Sequence, residues 1–211
     1  MISFDVGGTL VDHNFTELVW NNGIPKLYAE KTGINLEDAR VRIAAEYEAV
    51  GREDLRWYTL QYWFDLFDLD GSPREMFELF RSEIRIYPEV PSVLEILERQ
   101  YDLTVISGHP KDMMLFEIAK LQHHFKYFFS SVTDFNKVRK TSDMYAQICV
   151  SLGIEPRQVL HIGDDKDNDF KAPREAGMQA VYLDRSGRGR EDLTLTNLEE
   201  LLELLSLMRD P

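Results

Sequence analysis

The stretch Ile2-Ser3-Phe4-Asp5-Val6-Gly7-Gly8-Thr9-Leu10 decides the fold of this 211-residue chain. It is a short apolar run that ends in an acidic residue and two glycines, and a similar run lies at Val159-Leu160-His161-Ile162-Gly163-Asp164-Asp165. Apolar runs of this length, bounded in this way, are typical of buried parallel strands. Because open α/β sheets bind ligands where such strands end, the two runs predict carboxylates at the binding edge of a parallel sheet.

Two superfamilies share features with the first run. Asp5-Val6-Gly7-Gly8-Thr9 resembles the first phosphate loop of sugar kinases and other actin-like ATPases, and it also resembles the nucleophile loop of the haloacid dehalogenase (HAD) superfamily. The sugar-kinase fold requires two large lobes and a second glycine-rich phosphate loop, which the sequence does not contain. HAD proteins instead carry four ordered motifs.

The other three HAD motifs have counterparts here in the expected order. The second motif, a strand ending in Ser or Thr, is similar to Leu103-Thr104-Val105-Ile106-Ser107. The third, a lysine ahead of a helix, is similar to Val138-Arg139-Lys140-Thr141-Ser142-Asp143-Met144-Tyr145. Gly163-Asp164-Asp165-Lys166-Asp167-Asn168-Asp169 matches the fourth, and Ala176-Gly177-Met178 follows it. The resemblance covers nearly the whole chain and implies an α/β core with a Rossmann-like parallel sheet.

Four segments with helical apolar spacing separate the first motif from the second. Asn35 and Ser72-Pro73 predict the starts of the second and fourth helices. The HAD resemblance implies an inserted all-helical cap domain at 14–86 and a core formed by 1–13 and 87–211. The predicted cap helices are 16–31, 36–50, 55–69 and 73–86.

The resemblance also implies a magnesium site. Asp5 would be the nucleophile that forms an aspartyl-phosphate. Mg²⁺ would be held by the carboxylates of Asp5 and Asp164 and by the backbone carbonyl of Gly7, since this ion prefers oxygen ligands.

The remaining motif residues would act on the phosphoryl group. In the HAD pattern Ser107 and Gly108 bind its oxygens, and Lys140 offsets their charge in the transition state. Asp169 would accept a hydrogen bond from Lys140 or from a metal-bound water. The predicted partner is a small phosphorylated molecule.

Gly7 departs from the phosphatase pattern, which has a second aspartate at this position as general acid and base. General acid help is worth about 10²–10⁴ in rate. We therefore expect the rate to fall steeply as the leaving group becomes more basic. Asp12 and His13 are close enough in sequence to substitute, although a cap or surface role is favoured for both, and His109 lies either on the loop surface or within reach of substrate.

Two alternatives to a metal-dependent phosphatase stay open. Haloacid dehalogenases also lack the second aspartate and use no metal, and a HAD protein can bind a phosphorylated metabolite without turnover. However, Asp164 and Asp165 would place excess negative charge beside Asp5, which favours a bound cation.

The charge and hydropathy of the sequence exclude further classes of binding partner. The net charge of −13, without a basic stripe, argues against nucleic acid. The sequence lacks an apolar run long enough to cross a bilayer, so we expect a cytoplasmic protein with no membrane partner. The single cysteine, Cys149, is predicted to lie in the core. The sequence leaves the natural substrate open, as well as the choice between monomer and homodimer.

Overall fold

The computed structural model describes residues 1–188 and 193–207. Within these residues, parallel strands form a six-stranded sheet in the order β3-β2-β1-β4-β5-β6. The predicted α/β, Rossmann-like fold is thereby confirmed. The strands are β1 Ile2–Phe4, β2 Leu103–Ser107, β3 Tyr127–Ser130, β4 Leu160–Gly163, β5 Gln179–Leu183 and β6 Thr194–Leu195.

The shortest of the inner strands, β1, lies at the centre of the sheet. Ile2 pairs with Leu103 of β2 on one side and with Leu160 of β4 on the other. All three residues of β1 are buried. Because the neighbours run parallel, the residues that follow β1, β2 and β4 emerge at the same edge of the sheet.

Helices cover both faces of the sheet. Val105 of β2 belongs to an apolar cluster with Val93 and Leu94, whereas its neighbour Ile106 belongs to another with Tyr145. Adjacent side chains of one strand point to opposite faces, so the two clusters lie on opposite sides. The helices of this part are Val90–Leu97, Lys111–Glu117, Ser131–Phe135, Ser142–Leu152, Ala172–Glu175 and Glu199–Leu207. Short helical turns are Gln122–His124, Pro156–Gln158 and the π-helical Lys166–Lys171. Cys149 is buried, as predicted.

A second group of helices connects β1 to β2. Asn35 accepts a hydrogen bond from the Asp38 amide and Ser72 accepts one from the Glu75 amide, which confirms both predicted helix starts. The helices are Asn14–Leu18, Ile24–Thr32, Leu36–Val50, Leu55–Tyr58, Leu60–Leu66 and Pro73–Leu79, with a π-helical turn Val19–Gly23 and a short turn Arg81–Glu83. Their aromatic core also includes Met113 and Phe116 from the helix Lys111–Glu117, so the helical unit is packed directly onto the sheet-bearing part.

The predicted helix 55–69 is divided at Thr59. This residue has extended backbone angles, and its hydroxyl donates to the Leu55 carbonyl at 3.0 Å in place of a continuing helical bond. The segment is apolar nearly all round, which predicts burial within its own helical bundle. Leu60, Trp63 and Phe64 are buried in the core of the helical unit. Trp63 is fully buried, but Leu66 on another face is 46% exposed.

Further helix boundaries differ from the sequence prediction. The predicted helix 16–31 is interrupted by the π-helical turn Val19–Gly23, and the predicted helix 73–86 ends at Leu79. The apolar spacing also predicts a helix over 111–124. This helix ends at Glu117, and the side-chain amide of Gln122 donates to the Leu115 carbonyl, which satisfies one acceptor of the helix end. For the last helix, the sequence Thr196-Asn197-Leu198-Glu199 predicts a capping box, but the observed cap lies one residue later. Asn197 accepts from the backbone amides of Glu199 and Glu200, and the Glu200 side chain accepts from the Thr196 amide.

The domain division stays a prediction. The helices from Asn14–Leu18 to Pro73–Leu79 lie within the proposed cap, 14–86, while residues 189–192 and 208–211 of the proposed core lie outside the described residues. No helix of the described chain is long and apolar enough to cross a membrane.

Candidate active site

Three carboxylates meet at the edge where β1 and β4 end. One oxygen from each of Asp5, Asp164 and Asp169 lies within 4.8 Å of the others. Asp5 and Asp169 are buried and Asp164 is half-buried. The Gly8 backbone, at φ +72°, passes so close that an added Cβ would lie 2.5 Å from Asp164 Cγ. Glycine at this position therefore leaves room for the Asp164 carboxylate.

Lys140 links two of these carboxylates. Its side chain is 5% exposed, and its Nζ lies 2.5 Å from Asp5 Oδ1 and also contacts Asp169 Oδ1. Burial opposes the charge on Lys140, but the two carboxylates outweigh burial and raise the pKa of this lysine. The ammonium group is therefore retained inside the site.

The carboxylates differ in their tendency to ionise. Burial, reinforced by Asp169 and Asp164, raises the pKa of Asp5 to about 7 despite the neighbouring Lys140. For Asp169, burial is outweighed by Lys140 and by the hydrogen bond from His161, which lower its pKa to about 2. Three acids against one lysine leave a surplus of negative charge at this edge.

The donor set fits a divalent cation such as magnesium. Carboxylate oxygens are the hard ligands that Mg²⁺ takes, and the surplus negative charge needs a cation to offset it. Asp5, Asp164 and Asp169 form the acidic cluster that could hold the ion, and the roles of Asp5 and Asp164 as ligands stay predictions. The contribution of the Gly7 carbonyl stays a prediction.

A buried polar network supports Asp169, and the sequence analysis did not include it. His161 Nε2 lies 3.0 Å from Asp169 Oδ1, and Tyr145 places its hydroxyl 3.0 Å from the same nitrogen. On the other side of the ring, Ser3 Oγ lies 2.8 Å from His161 Nδ1. Burial lowers the pKa of His161 although Asp169 favours its cation. A polar histidine inside the apolar run 159–163 was the signal available in the sequence.

Two imidazole rings occupy the space beside Gly7. A Cβ on Gly7 would lie 3.2 Å from His109 Cε1 and 3.2 Å from His13 Nδ1. His13 is half exposed, and its Nε2 lies 3.4 Å from Asp164 Oδ2. Asp12 accepts a hydrogen bond from the Asn14 amide at 3.0 Å, although the N-cap position of this helix is His13.

His109 is held by a buried carboxylate that the sequence analysis missed. Its Nδ1 lies 2.7 Å from Oε2 of Glu117, whose side chain has no exposed surface. The other oxygen of Glu117 accepts from the Thr16 hydroxyl at 3.0 Å. Burial disfavours the charge on His109, but Glu117 outweighs burial and raises the pKa of the imidazole. A glutamate among the apolar residues of 113–118 was the sequence signal.

Ser107 and Gly108 lie at the end of β2. Ser107 is buried, and its Oγ accepts from the His109 amide at 3.1 Å. Gly108 is half-buried. Their predicted contacts with a phosphoryl group stay predictions.

Arg185, which no sequence motif includes, lies two residues after β5 and holds the nucleophile loop. Its guanidinium donates to the carbonyls of Gly8 at 3.1 Å and Thr9 at 2.7 Å, and it pairs with Glu89. It also lies 3.5 Å from the centre of the Tyr87 ring. Arg185 therefore positions the loop that carries Asp5.

The model of the haloacid dehalogenase-like hydrolase family matches residues 1–177. The chain belongs to this family. Among curated relatives of this HAD protein, the GMP/IMP nucleotidase YrfG of Escherichia coli strain K12 is 23% identical over 168 residues, which cover 78% of this chain and 74% of the relative.

Solved structures share the whole fold. A HAD phosphatase from Thermococcus onnurineus is 26% identical with a TM-score of 0.79, covering 97% of this chain and 96% of that one. A 2-haloacid dehalogenase from Pseudomonas syringae pv. Tomato DC3000 is 20% identical with a TM-score of 0.71, covering 98% of both chains; this likeness concerns the fold alone. Together with the phosphatase relatives, the family match shows that this HAD protein is a hydrolase of the phosphatase type.

Proposed function

We propose that this HAD protein is a magnesium-dependent phosphate-ester hydrolase that acts through an aspartyl-phosphate on a small phosphorylated metabolite. The observation that carries the proposal is the buried Lys140, which joins Asp5 to Asp169 beside Asp164. A buried nucleophile, a fixed cation and surplus carboxylates are what phosphoryl transfer requires of a protein.

In this mechanism Asp5 attacks phosphorus with its free carboxylate oxygen, and water later hydrolyses the aspartyl-phosphate. Lys140 lies within reach of the phosphoryl oxygens and offsets their charge, while the Ser107 hydroxyl donates to one of them. Asp169, with its low pKa, stays ionised and keeps Lys140 in position. Magnesium bound by Asp5 and Asp164 would supply further positive charge at the phosphoryl oxygens.

Gly7 supplies no carboxyl group to protonate the leaving oxygen. Aryl and acyl phosphates leave as weak bases and need little proton transfer, so they are the substrates least affected by this change. A cytoplasmic location, the absence of nucleic-acid partners and the choice of monomer or homodimer stay predictions.

The test is hydrolysis of p-nitrophenyl phosphate with magnesium and with chelator, for the wild type, Asp5→Asn and Asp12→Asn. Asp12 lies seven residues beyond Asp5 and accepts a hydrogen bond from the Asn14 amide, which the side-chain oxygen of asparagine can also accept. We expect turnover that requires magnesium and is lost in Asp5→Asn but kept in Asp12→Asn.

Other outcomes identify the alternatives. Release of chloride from 2-chloropropionate without a metal, together with no phosphatase activity, would indicate a dehalogenase. Binding of inorganic phosphate without turnover of either substrate would indicate a non-catalytic protein.

A further inference from the structure

The space next to Gly7 is filled by side chains from elsewhere in the fold. An added Cβ at this position would lie 3.2 Å from His109 Cε1 and 3.2 to 3.3 Å from two atoms of the His13 ring. The Gly7 backbone is not in the left-handed region, so conformation alone does not demand glycine there. The constraint is the room taken by the two imidazoles, which lie where the side chain of residue 7 would project.

Of the two rings, His109 is the one with a fixed orientation and an independent support. Its Nδ1 faces the buried Glu117 at 2.7 Å, while His13 is half exposed and contacts Asp164 of the acidic cluster. An ionised carboxylate only accepts hydrogen bonds, so the proton on Nδ1 points to Glu117. Nε2, the other neighbour of Cε1 in the ring, is the nitrogen that Glu117 does not occupy, and Cε1 itself lies 3.2 Å from the position of an added Cβ at residue 7.

Glu117 is itself fixed by a residue of the helical unit. Thr16 donates to Oε1, so both carboxylate oxygens are occupied, one from the cap helix Asn14–Leu18 and one from the loop after β2. A carboxylate with no exposed side-chain surface requires such partners, because an unpaired buried charge is costly. The chain Thr16–Glu117–His109 therefore sets the direction in which Nε2 points.

We propose that His109, oriented by Glu117, donates the hydrogen bond and the proton that the leaving-group oxygen needs, in the place of the aspartate that Gly7 lacks. The inference rests on the phosphatase function proposed above. His109 is then a catalytic residue and Glu117 a positioning residue. The rate of hydrolysis should then fall steeply with leaving-group basicity in His109 variants, as expected from Gly7 alone. The rate of the wild type should depend much less on leaving-group basicity.

The proton balance closes over the two steps. The reaction starts from the His109 imidazolium, which carries a proton on each ring nitrogen. As Asp5 Oδ bonds to phosphorus, the ester P–O bond breaks with its electron pair on the alcohol oxygen, which takes the proton from His109 Nε2 and leaves the neutral ring with its proton on Nδ1. Water then attacks phosphorus, the P–O bond to Asp5 breaks, and Nε2 takes a proton from that water. One ester and one water give one alcohol and one phosphate, and the imidazole returns to its starting state.

The test compares phenyl phosphate, a more basic leaving group, with p-nitrophenyl phosphate in His109→Gln. We expect kcat/KM for phenyl phosphate to fall by about 10²–10⁴-fold and that for p-nitrophenyl phosphate by less than about tenfold. Glu117→Gln should also lower kcat/KM for phenyl phosphate more than kcat/KM for p-nitrophenyl phosphate, and it should affect kcat more than KM. Free imidazole should restore phenyl phosphate turnover to His109→Gly.

A matched histidine–carboxylate pair serves as the control. His124 Nδ1 also lies 2.7 Å from a glutamate, Glu98, but it precedes β3 at the opposite edge of the sheet. His124→Gln should leave the ratio of kcat/KM between phenyl phosphate and p-nitrophenyl phosphate unchanged. If His109→Gln lowers both substrates equally, or if imidazole does not rescue His109→Gly, the role of His109 is refuted while the phosphatase function stands. A wild type without metal-dependent turnover of p-nitrophenyl phosphate refutes both.

Discussion

Gly8→Ala tests whether the Asp164 carboxylate holds magnesium. Gly8 has φ +72°, where an alanine costs about 1–2 kcal/mol. The added Cβ would also lie 2.5 Å from Asp164 Cγ and 2.8 Å from His13 Nε2. Both are ends of flexible side chains, so we expect the side chains to move while the backbone of the loop is kept.

Gly33→Ala is the matched control. Gly33 has φ +74°, nearly the same strain, but among residues 1–188 and 193–207, its chain neighbours aside, no atom lies within 4 Å of its added Cβ. The free energy of unfolding should therefore fall by a similar amount, about 1–2 kcal/mol, in both variants. Only Gly8→Ala displaces a metal-binding carboxylate, and disturbing the support of a metal site typically costs about 10–100-fold in affinity. At 1.36 kcal/mol per tenfold, this is about 1.4–2.7 kcal/mol of magnesium binding.

The assay is the magnesium concentration for half-maximal hydrolysis of p-nitrophenyl phosphate, with urea denaturation of each variant in chelator. Equal magnesium requirements for Gly8→Ala and Gly33→Ala would refute the assignment of Asp164 as a ligand. An additional loss of several kcal/mol of unfolding free energy in Gly8→Ala alone would show that the backbone of the loop moves while the carboxylate stays in place.

Three further predictions concern the buried groups. Lys140→Met leaves two buried carboxylates without their cation, so the free energy of unfolding in chelator should fall by about 3–5 kcal/mol; a loss below about 1 kcal/mol in urea denaturation would contradict this. His161 has a lowered pKa in the folded state, so only the unfolded chain takes up its proton as pH falls below about 6.5. The free energy of unfolding of the wild type should thus decline more between pH 7.5 and 5.5 than that of His161→Gln. Equal declines in the two proteins would contradict this role of His161. Trp63→Ala should lower the free energy of unfolding by about 3–5 kcal/mol because the side chain is fully buried. Leu66→Ala, at a side chain that is 46% exposed, should lower it far less, and thermal denaturation of both variants measures the difference.

Site residues that lie at the ends of strands could be predicted from the sequence. Asp5, Ser107 and Asp164 each end or follow an apolar run, and parallel pairing necessarily brings such residues to one edge. Helix starts at Asn35 and Ser72 were also predictable, because their side chains bond to amides only three residues away.

The rest depended on contacts through space. Arg185 reaches the Gly8 carbonyl across 177 positions of the chain, and Thr16 reaches Glu117 across 101. Apolar periodicity also could not predict the break at Thr59, where a side-chain hydroxyl competes for a backbone carbonyl. The groups that orient the site were therefore the least visible in the sequence.

The central position of β1 has a consequence for synthesis. Its last residue, Phe4, precedes the first residue of its neighbour β4, Leu160, by 156 positions (160 − 4). At about 5–20 residues per second, the ribosome needs about 8–30 s to supply that second partner. Throughout this interval the strand that positions Asp5 lacks one side of its hydrogen-bonding ladder, and such an unpaired strand edge can associate with other chains. Expression at lower temperature or with a chaperone should accordingly improve the yield of folded enzyme more than any change to its surface charge.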